Sequence, residues 1–156
     1  MDLTFCAEIN LKYSRDYCFP FRLESIDVLR SAQKQNPEDA RAPYYPGNLL
    51  YDLQPEKAIE EWEKSRHLDK SFSITHRNLG LAYARVENDV SKAIASLEKA
   101  VACNRKNPRF FYELDLLYET GGAPPEKRLK LLEKNHEVVF QKDDALSREI
   151  ILLVQL

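Results

Sequence analysis

Three histidines, three cysteines and the carboxylate runs Glu60-Glu61 and Asp143-Asp144 are the residues of this chain whose types lend themselves to chemistry. His67, His76 and His136 would make a metal site or a base pair only at a ligand spacing such as H-E-x-x-H. None has such a spacing, and each is expected on a surface or in helix packing. Glu60-Glu61 and Asp143-Asp144 have the form of acid/base pairs, but helical Glu/Lys interleaving and helix N-capping explain them without a reaction. Gly121-Gly122 lacks the following G-K-[ST] of a phosphate cradle. Cys6, Cys18 and Cys103 are odd in number and lack a C-x-x-C spacing, so neither a disulfide framework nor a zinc knuckle is indicated. They are expected to be buried thiols in a reducing compartment. No catalytic residue, metal or cofactor is assigned.

Composition narrows the partners. Lys plus Arg is 23 and Asp plus Glu is 25 in 156 residues, a net charge of −2. That balance offers no global attraction to nucleic acid or an anionic membrane, and neither is expected as a partner. The apolar run Ile150 to Val154 is far below the ~18 residues of a membrane span. Asp2, Glu8 and Lys12 interrupt the N-terminal apolar residues, so no signal peptide is read and a cytoplasmic location is expected. With 44% apolar and 31% charged residues and only four glycines, the chain suits helices rich in Glu, Lys, Leu and Ala.

The elements that must position any functional residue announce themselves by repetition. Lys57-Ala58-Ile59-Glu60-Glu61-Trp62-Glu63-Lys64-Ser65 is matched by Lys92-Ala93-Ile94-Ala95-Ser96-Leu97-Glu98-Lys99-Ala100 and by Lys127-Arg128-Leu129-Lys130-Leu131-Leu132-Glu133-Lys134-Asn135. Each copy begins 35 residues after the one before. A period of this size marks a stacked-repeat architecture and outranks any single-residue motif.

Taken in order, residues 5–17 read as a helix, and Pro20 interrupts the chain. Ile26, Leu29 and Ala32 recur at helical spacing between Arg22 and Gln35. Pro43 and Pro46 fall within Ala40 to Asp52, predicting a helix that is regular only after Pro46. Pro55 opens the first repeated copy. Ser71 to Val86 is a further helix, and Asn88-Asp89 ends it and caps the second copy. Asn107-Pro108 introduces the helix of Phe110, Phe111, Leu114, Leu117 and Tyr118. Gly121-Gly122 stops it, Pro124-Pro125 starts the third copy, and Asp143-Asp144 caps a last helix through Leu146, Ile150 and Leu153. The reading is all-α, with about nine helices in antiparallel pairs and no strand.

Asn78-Leu79-Gly80-Leu81-Ala82-Tyr83, followed by Ala93, Leu97 and Ala100, resembles the tetratricopeptide repeat, a helix-turn-helix unit of roughly 34 residues. The family position of Ala58 and Ala93 falls also at Ser25 and Arg128, at spacings of 33, 35 and 35 residues. Ser25-Ile26, Leu29, Ala32 and Pro37 resemble the second helix of an earlier unit, so the likeness covers nearly the whole chain. It implies a right-handed solenoid of about four units forming one domain over residues 1–156. Three departures stand out. Pro46 replaces a leucine, Asp115 replaces a glycine, and Arg128 replaces an alanine, which predicts looser packing or a solvated Arg128. A narrower likeness rests on Tyr17-Cys18-Phe19-Pro20-Phe21-Arg22, Asp39-Ala40-Arg41-Ala42-Pro43-Tyr44-Tyr45, Gly47-Asn48-Leu49-Leu50-Tyr51-Asp52, Trp62-Glu63-Lys64-Ser65 and His76-Arg77-Asn78-Leu79. These runs resemble the helical-repeat region of large bacterial multidomain proteins with a mutarotase-like β-sandwich region. That resemblance implies that the chain is a segment of a longer one.

In tetratricopeptide arrays the first helix of each pair lines a concave surface that binds extended peptides or helices. Carried over by position, that surface comprises Arg41, Tyr44, Asn48 and Tyr51, then Ile74, Arg77, Asn78, Leu81 and Ala84, then Arg109, Tyr112, Leu116 and Glu119. Tyr and Arg are frequent interface anchors. Asn48, Arg77 and Asn78 partly resemble the family's Lys/Asn carboxylate clamp, but Leu81 stands where the clamp has asparagine. Trp62 is read as core. The implied function is a non-catalytic protein-interaction or domain-positioning scaffold for a protein or peptide. The alternatives are a segment of a larger carbohydrate-related enzyme and a structural module that homodimerises through the apolar C-terminal helix.

Overall fold

Each repeated stretch begins in a helix that packs against the helix before it. The structure is a computed structural model and describes residues 22–155. The helix read at residues 5–17 lies outside the described residues, as do Cys6 and Cys18. A 3₁₀ turn, Leu23–Ser25, leads into α1 (Ile26–Gln35), α2 (Arg41–Leu50), α3 (Pro55–Leu68), α4 (Ser73–Arg85), α5 (Val90–Cys103), α6 (Pro108–Thr120), α7 (Pro125–Glu133), α8 (His136–Val139) and α9 (Asp143–Gln155). No strand occurs among the described residues. The helices group into two compact units divided between Asp69 and Lys70.

Local chemistry sets the helix boundaries. Prolines occupy the first helical position of α3, α6 and α7, where a missing N–H costs nothing. The Asp89 side chain accepts from the Lys92 amide at 2.8 Å and caps α5. Asn107 accepts from the Arg109 amide at 3.1 Å and caps α6. Gly122, at φ 72°, supplies the left-handed residue that turns the chain after α6.

Two helices depart from the sequence reading. α2 is helical from Arg41, with Pro46 inside it rather than before its regular part. An interior proline costs about 3 kcal/mol, and burial of Pro43, Tyr44, Pro46, Leu49 and Leu50 on the same helix offsets it. The third repeated copy is broken. Where the second copy continues through Lys99-Ala100, the third has Lys134-Asn135 and ends α7. Asn135 Nδ2 donates to the Leu131 carbonyl at 2.7 Å, a local side-chain bond that competes with the helical ladder. The chain then restarts as the four-residue α8.

The repeated copies form the core side of each pair. In the first unit Ala58, Ile59 and Trp62 of α3 are buried with Tyr44, Leu49 and Leu50 of α2. In the second, Ala93, Leu97 and Ala100 of α5 are fully buried with Leu79, Ala82 and Tyr83 of α4. Phe111, Leu129, Leu132, Val139, Ala145 and Leu152 make a further cluster joining α6 to α9. Full burial of such apolar side chains contributes about 1.5–3 kcal/mol each.

Small residues set the closest approaches. A Cβ on Gly80 would stand 3.1 Å from the Ala93 carbonyl, and one on Gly47 would stand 2.5 Å from the Trp62 ring. Thirteen residues separate Gly80 from Ala93, and the same interval separates Asp115 from Arg128. In the third copy the two departures from the repeat pattern therefore meet. Arg128 grips Asp115 with two bonds, Nε to Oδ1 at 2.8 Å and Nη2 to Oδ2 at 3.1 Å. Arg128 is not solvated, as the sequence suggested, but 5% exposed, because an ion pair replaces the small-residue contact.

The lysines that begin the second and third copies have a shared role. Lys92 Nζ lies 3.7 Å from the Tyr83 ring centroid, and Lys127 Nζ lies 4.2 Å from that of Tyr118. Each cation covers a tyrosine of the preceding helix, worth about 0.5–1 kcal/mol at such sites. In the first unit Leu50 takes the tyrosine's place, and Lys57 instead donates to Gln54 Oε1 at 2.6 Å.

Candidate functional site

Among the described residues the histidines and the paired carboxylates are held in separate local contacts. His67 bonds the Glu63 carbonyl, His76 the Lys70 carbonyl, and His136 the buried Glu149 carboxylate, the last at 2.8 Å. Glu61 accepts from Gln33 at 2.6 Å and from Lys64. Asp143 and Asp144 sit inside the first turn of α9 rather than before it, where the helix dipole favours them. Cys103, expected to be buried, is exposed, since it ends α5. Among the described residues no group of three His, Cys, Asp or Glu side chains could hold a metal ion. No described helix is long and apolar enough to cross a membrane.

The first-helix positions divide by unit. On α2, Tyr44 is 0% exposed, so it is core and cannot contact a ligand. Its place on the helix puts it among the residues that offset Pro46. Asn48 accepts from Trp62 Nε1 at 3.1 Å, and the Tyr51 ring lies 5.2 Å from the Trp62 ring. These two half-buried side chains hold the indole, and Arg41 is half-buried at the start of the helix. The positions predicted on this helix therefore serve packing to a large extent.

In the second unit the predicted residues come together through a side chain the sequence reading missed. Glu113, 7% exposed, accepts from Arg77 Nε at 2.8 Å and from Arg77 Nη2. It also accepts from Arg109 Nε at 2.8 Å. Arg77 Nη1 donates to buried Asn78 at 3.2 Å. The i,i+4 spacing of Arg109 and Glu113 was a readable signal for half of this cluster. Arg77, 36 residues from Glu113, had none. Leu81, Ala84 and Leu116 are half-buried beside these groups on α4 and α6, and Ile74 is buried. Tyr112 is half-buried, with Lys142 Nζ 5.4 Å from its ring centroid.

Glu119 belongs to a second ionic cluster. It meets Arg128 at 3.0 Å and Arg148 at 2.6 Å, and Arg148 also reaches Asp115 at 2.6 Å. The donated bond from Arg148, with Arg128 beside it, holds Glu119 below the usual carboxylate range. The bond to Asp115 raises Arg128 above its ordinary value against the opposing effect of burial. Burial pulls Arg148 down, but its bonds to Asp115 and Glu119 outweigh that and leave it raised. Burial, and then the 2.6 Å bond to Glu98, push the Tyr118 phenol well above the usual tyrosine value. These clusters fix side chains; their geometry contains no nucleophile aimed at open space.

No protein-family model matches the sequence. Solved structures resemble it closely in fold. YrrB, described as a TPR protein with an unusual peptide-binding site, superposes with a TM-score of 0.70 at 24% identity, covering 83% of this chain and 66% of its own. MamA gives 0.67 at 23% identity, covering 82% and 69% of the two chains. TTC0263, a thermophilic TPR protein from Thermus thermophilus, gives 0.65 at 19% identity, covering 83% and 72%. The fold is thus an all-α, tetratricopeptide-like helical-repeat solenoid.

Proposed function

We propose that this chain is a non-catalytic protein-interaction or domain-positioning scaffold, and that it receives a peptide or an adjoining domain on the α4 and α6 face of its second unit. The observation that carries the reading is the Arg77–Glu113–Arg109 cluster. It holds the Arg77 guanidinium with two bonds and tethers that of Arg109 through its Nε, on the helices that carry half-buried Leu81, Leu116 and Tyr112. Rigid arginine and tyrosine next to apolar surface supply contact area and polar handles at low entropic cost. A peptide-binding site is described for one structural relative, which supports the same use of this fold here.

The test is site-specific photocrosslinking in the native host, with a photoreactive residue at Leu81 or Leu116 and, as control, at exposed Ala95 on α5. Discrete adducts at the same mass from both first-helix positions, absent from the control, are expected. Identical adduct patterns at all three positions would exclude this face as the binding surface.

A second reading, self-association, rests on α9. Ile150, Ile151, Leu153 and Val154 are 51%, 48%, 52% and 82% exposed. Ile150 stands 35 residues after Asp115 and 70 after Gly80, positions covered by the second helix of their own pair. Its apolar face thus continues an intramolecular interface, and α9 of a second copy is the occupant proposed. Sedimentation velocity should show a dimer that Ile150→Glu/Val154→Glu converts to monomer. A concentration-independent monomer in the unsubstituted protein would end this reading.

A further inference from the structure

The α4 and α6 face carries an unbalanced positive charge, and its position indicates the chemistry of what binds there. Arg77 engages both oxygens of Glu113, so the one buried carboxylate of the cluster is already neutralised by a two-bond pair. Arg109 adds only its Nε to that carboxylate, and its side chain remains 61% exposed. Among the described residues the terminal nitrogens of Arg109 find no hydrogen-bond partner, and neither does the Tyr112 hydroxyl one helical turn on. Arg105 and Lys106 are exposed in the turn that leads into α6. Two side-chain bonds shape this turn, Asn104 accepting from the Lys106 amide and Asn107 from the Arg109 amide, both at 3.1 Å.

Arg77 and Arg109 thus share one carboxylate, Glu113, and Arg105 and Lys106 stand exposed in the turn just before Arg109. The adjoining stretch is different: Lys142 is paired with Asp144, and Asp143 lies beside it at the start of α9. We propose that this edge recognises an acidic peptide, its carboxylates completing the coordination of Arg109 and meeting Arg105 and Lys106, with the Tyr112 hydroxyl as a further donor. The proposal rests on the reading of the α4 and α6 face as the binding surface and specifies the charge of its ligand. Full-length peptide contact along the half-buried Leu81 and Leu116 distinguishes it from simple anion capture.

The test is fluorescence anisotropy of the full chain with a labelled twelve-residue peptide of alternating Glu and Ser, against a Gln and Ser peptide of equal length. The acidic peptide should bind, with affinity falling as salt rises. Arg109→Gln should weaken binding about tenfold, the loss of a charge-assisted pair. Arg105→Gln/Lys106→Gln should weaken it several-fold and flatten the salt dependence. Lys130→Gln on α7 should leave it unchanged, with all variants confirmed helical by circular dichroism. Equal binding of the neutral peptide, or equal affinity of the Arg109→Gln protein, would overturn the proposal. Displacement of the peptide by inorganic phosphate at matched charge concentration would overturn its peptide character. If these binding tests fail while the Leu81 and Leu116 crosslinks succeed, only the acidic specificity falls.

Discussion

Asp115→Ala should lower stability by about 3–5 kcal/mol, because it leaves the buried Arg128 guanidinium without its partner. Asp115 is 0% exposed and accepts two bonds from Arg128 and one from Arg148. Arg148 retains Glu119, but Arg128 keeps only a contact to the same exposed carboxylate at 3.0 Å. A shift of the thermal midpoint by about 10 °C is the corresponding expectation. The double variant Asp115→Ala/Arg128→Ala should be less damaged than the sum of its two single variants by at least about 2 kcal/mol. It removes both charges and returns the site toward the small-residue contact seen between Gly80 and Ala93. Urea unfolding of the four proteins measures the coupling. Simple additivity would show that the pair does not act as one unit.

Gly47→Val should cost about 3 kcal/mol through overpacking. Its Cβ alone would stand 2.5 Å from Cδ1 and Nε1 of Trp62, an indole held in place by Asn48 and Tyr51. Trp62→Leu, which installs the residue found at the same position of the second copy, should recover part of the loss in the double variant. An unchanged unfolding midpoint for Gly47→Val would mean that the helices of the first pair are free to separate.

Much of the architecture is legible in the sequence alone. The period of 35 residues, the prolines at helix starts and the apolar faces of the repeated copies are local properties, and local backbone chemistry decides them. The broken third copy was legible in principle, because Asn135 stands where the second copy has Ala100. Its effect depended on a side-chain bond to Leu131 that a helical pattern does not reveal. The candidate surface was legible only in part. Arg77, Asn78, Leu81, Arg109 and Tyr112 do lie on neighbouring helices of one unit, whereas Tyr44 carries the same repeat position and is buried.

The sequence by itself determined that these helices form, how they pair and which stretches face inward, since each follows from spacing within about a dozen residues. Only the tertiary structure decided which polar groups are already spent. Arg77 meets Glu113 across 36 residues and Arg148 meets Asp115 across 33, and in each case folding joins charges that no local periodicity relates. The same packing turns two apparent defects of the repeat, Asp115 and Arg128, into a buried pair. It also leaves Arg109 with unfilled donors, the feature on which recognition by this protein is proposed to depend.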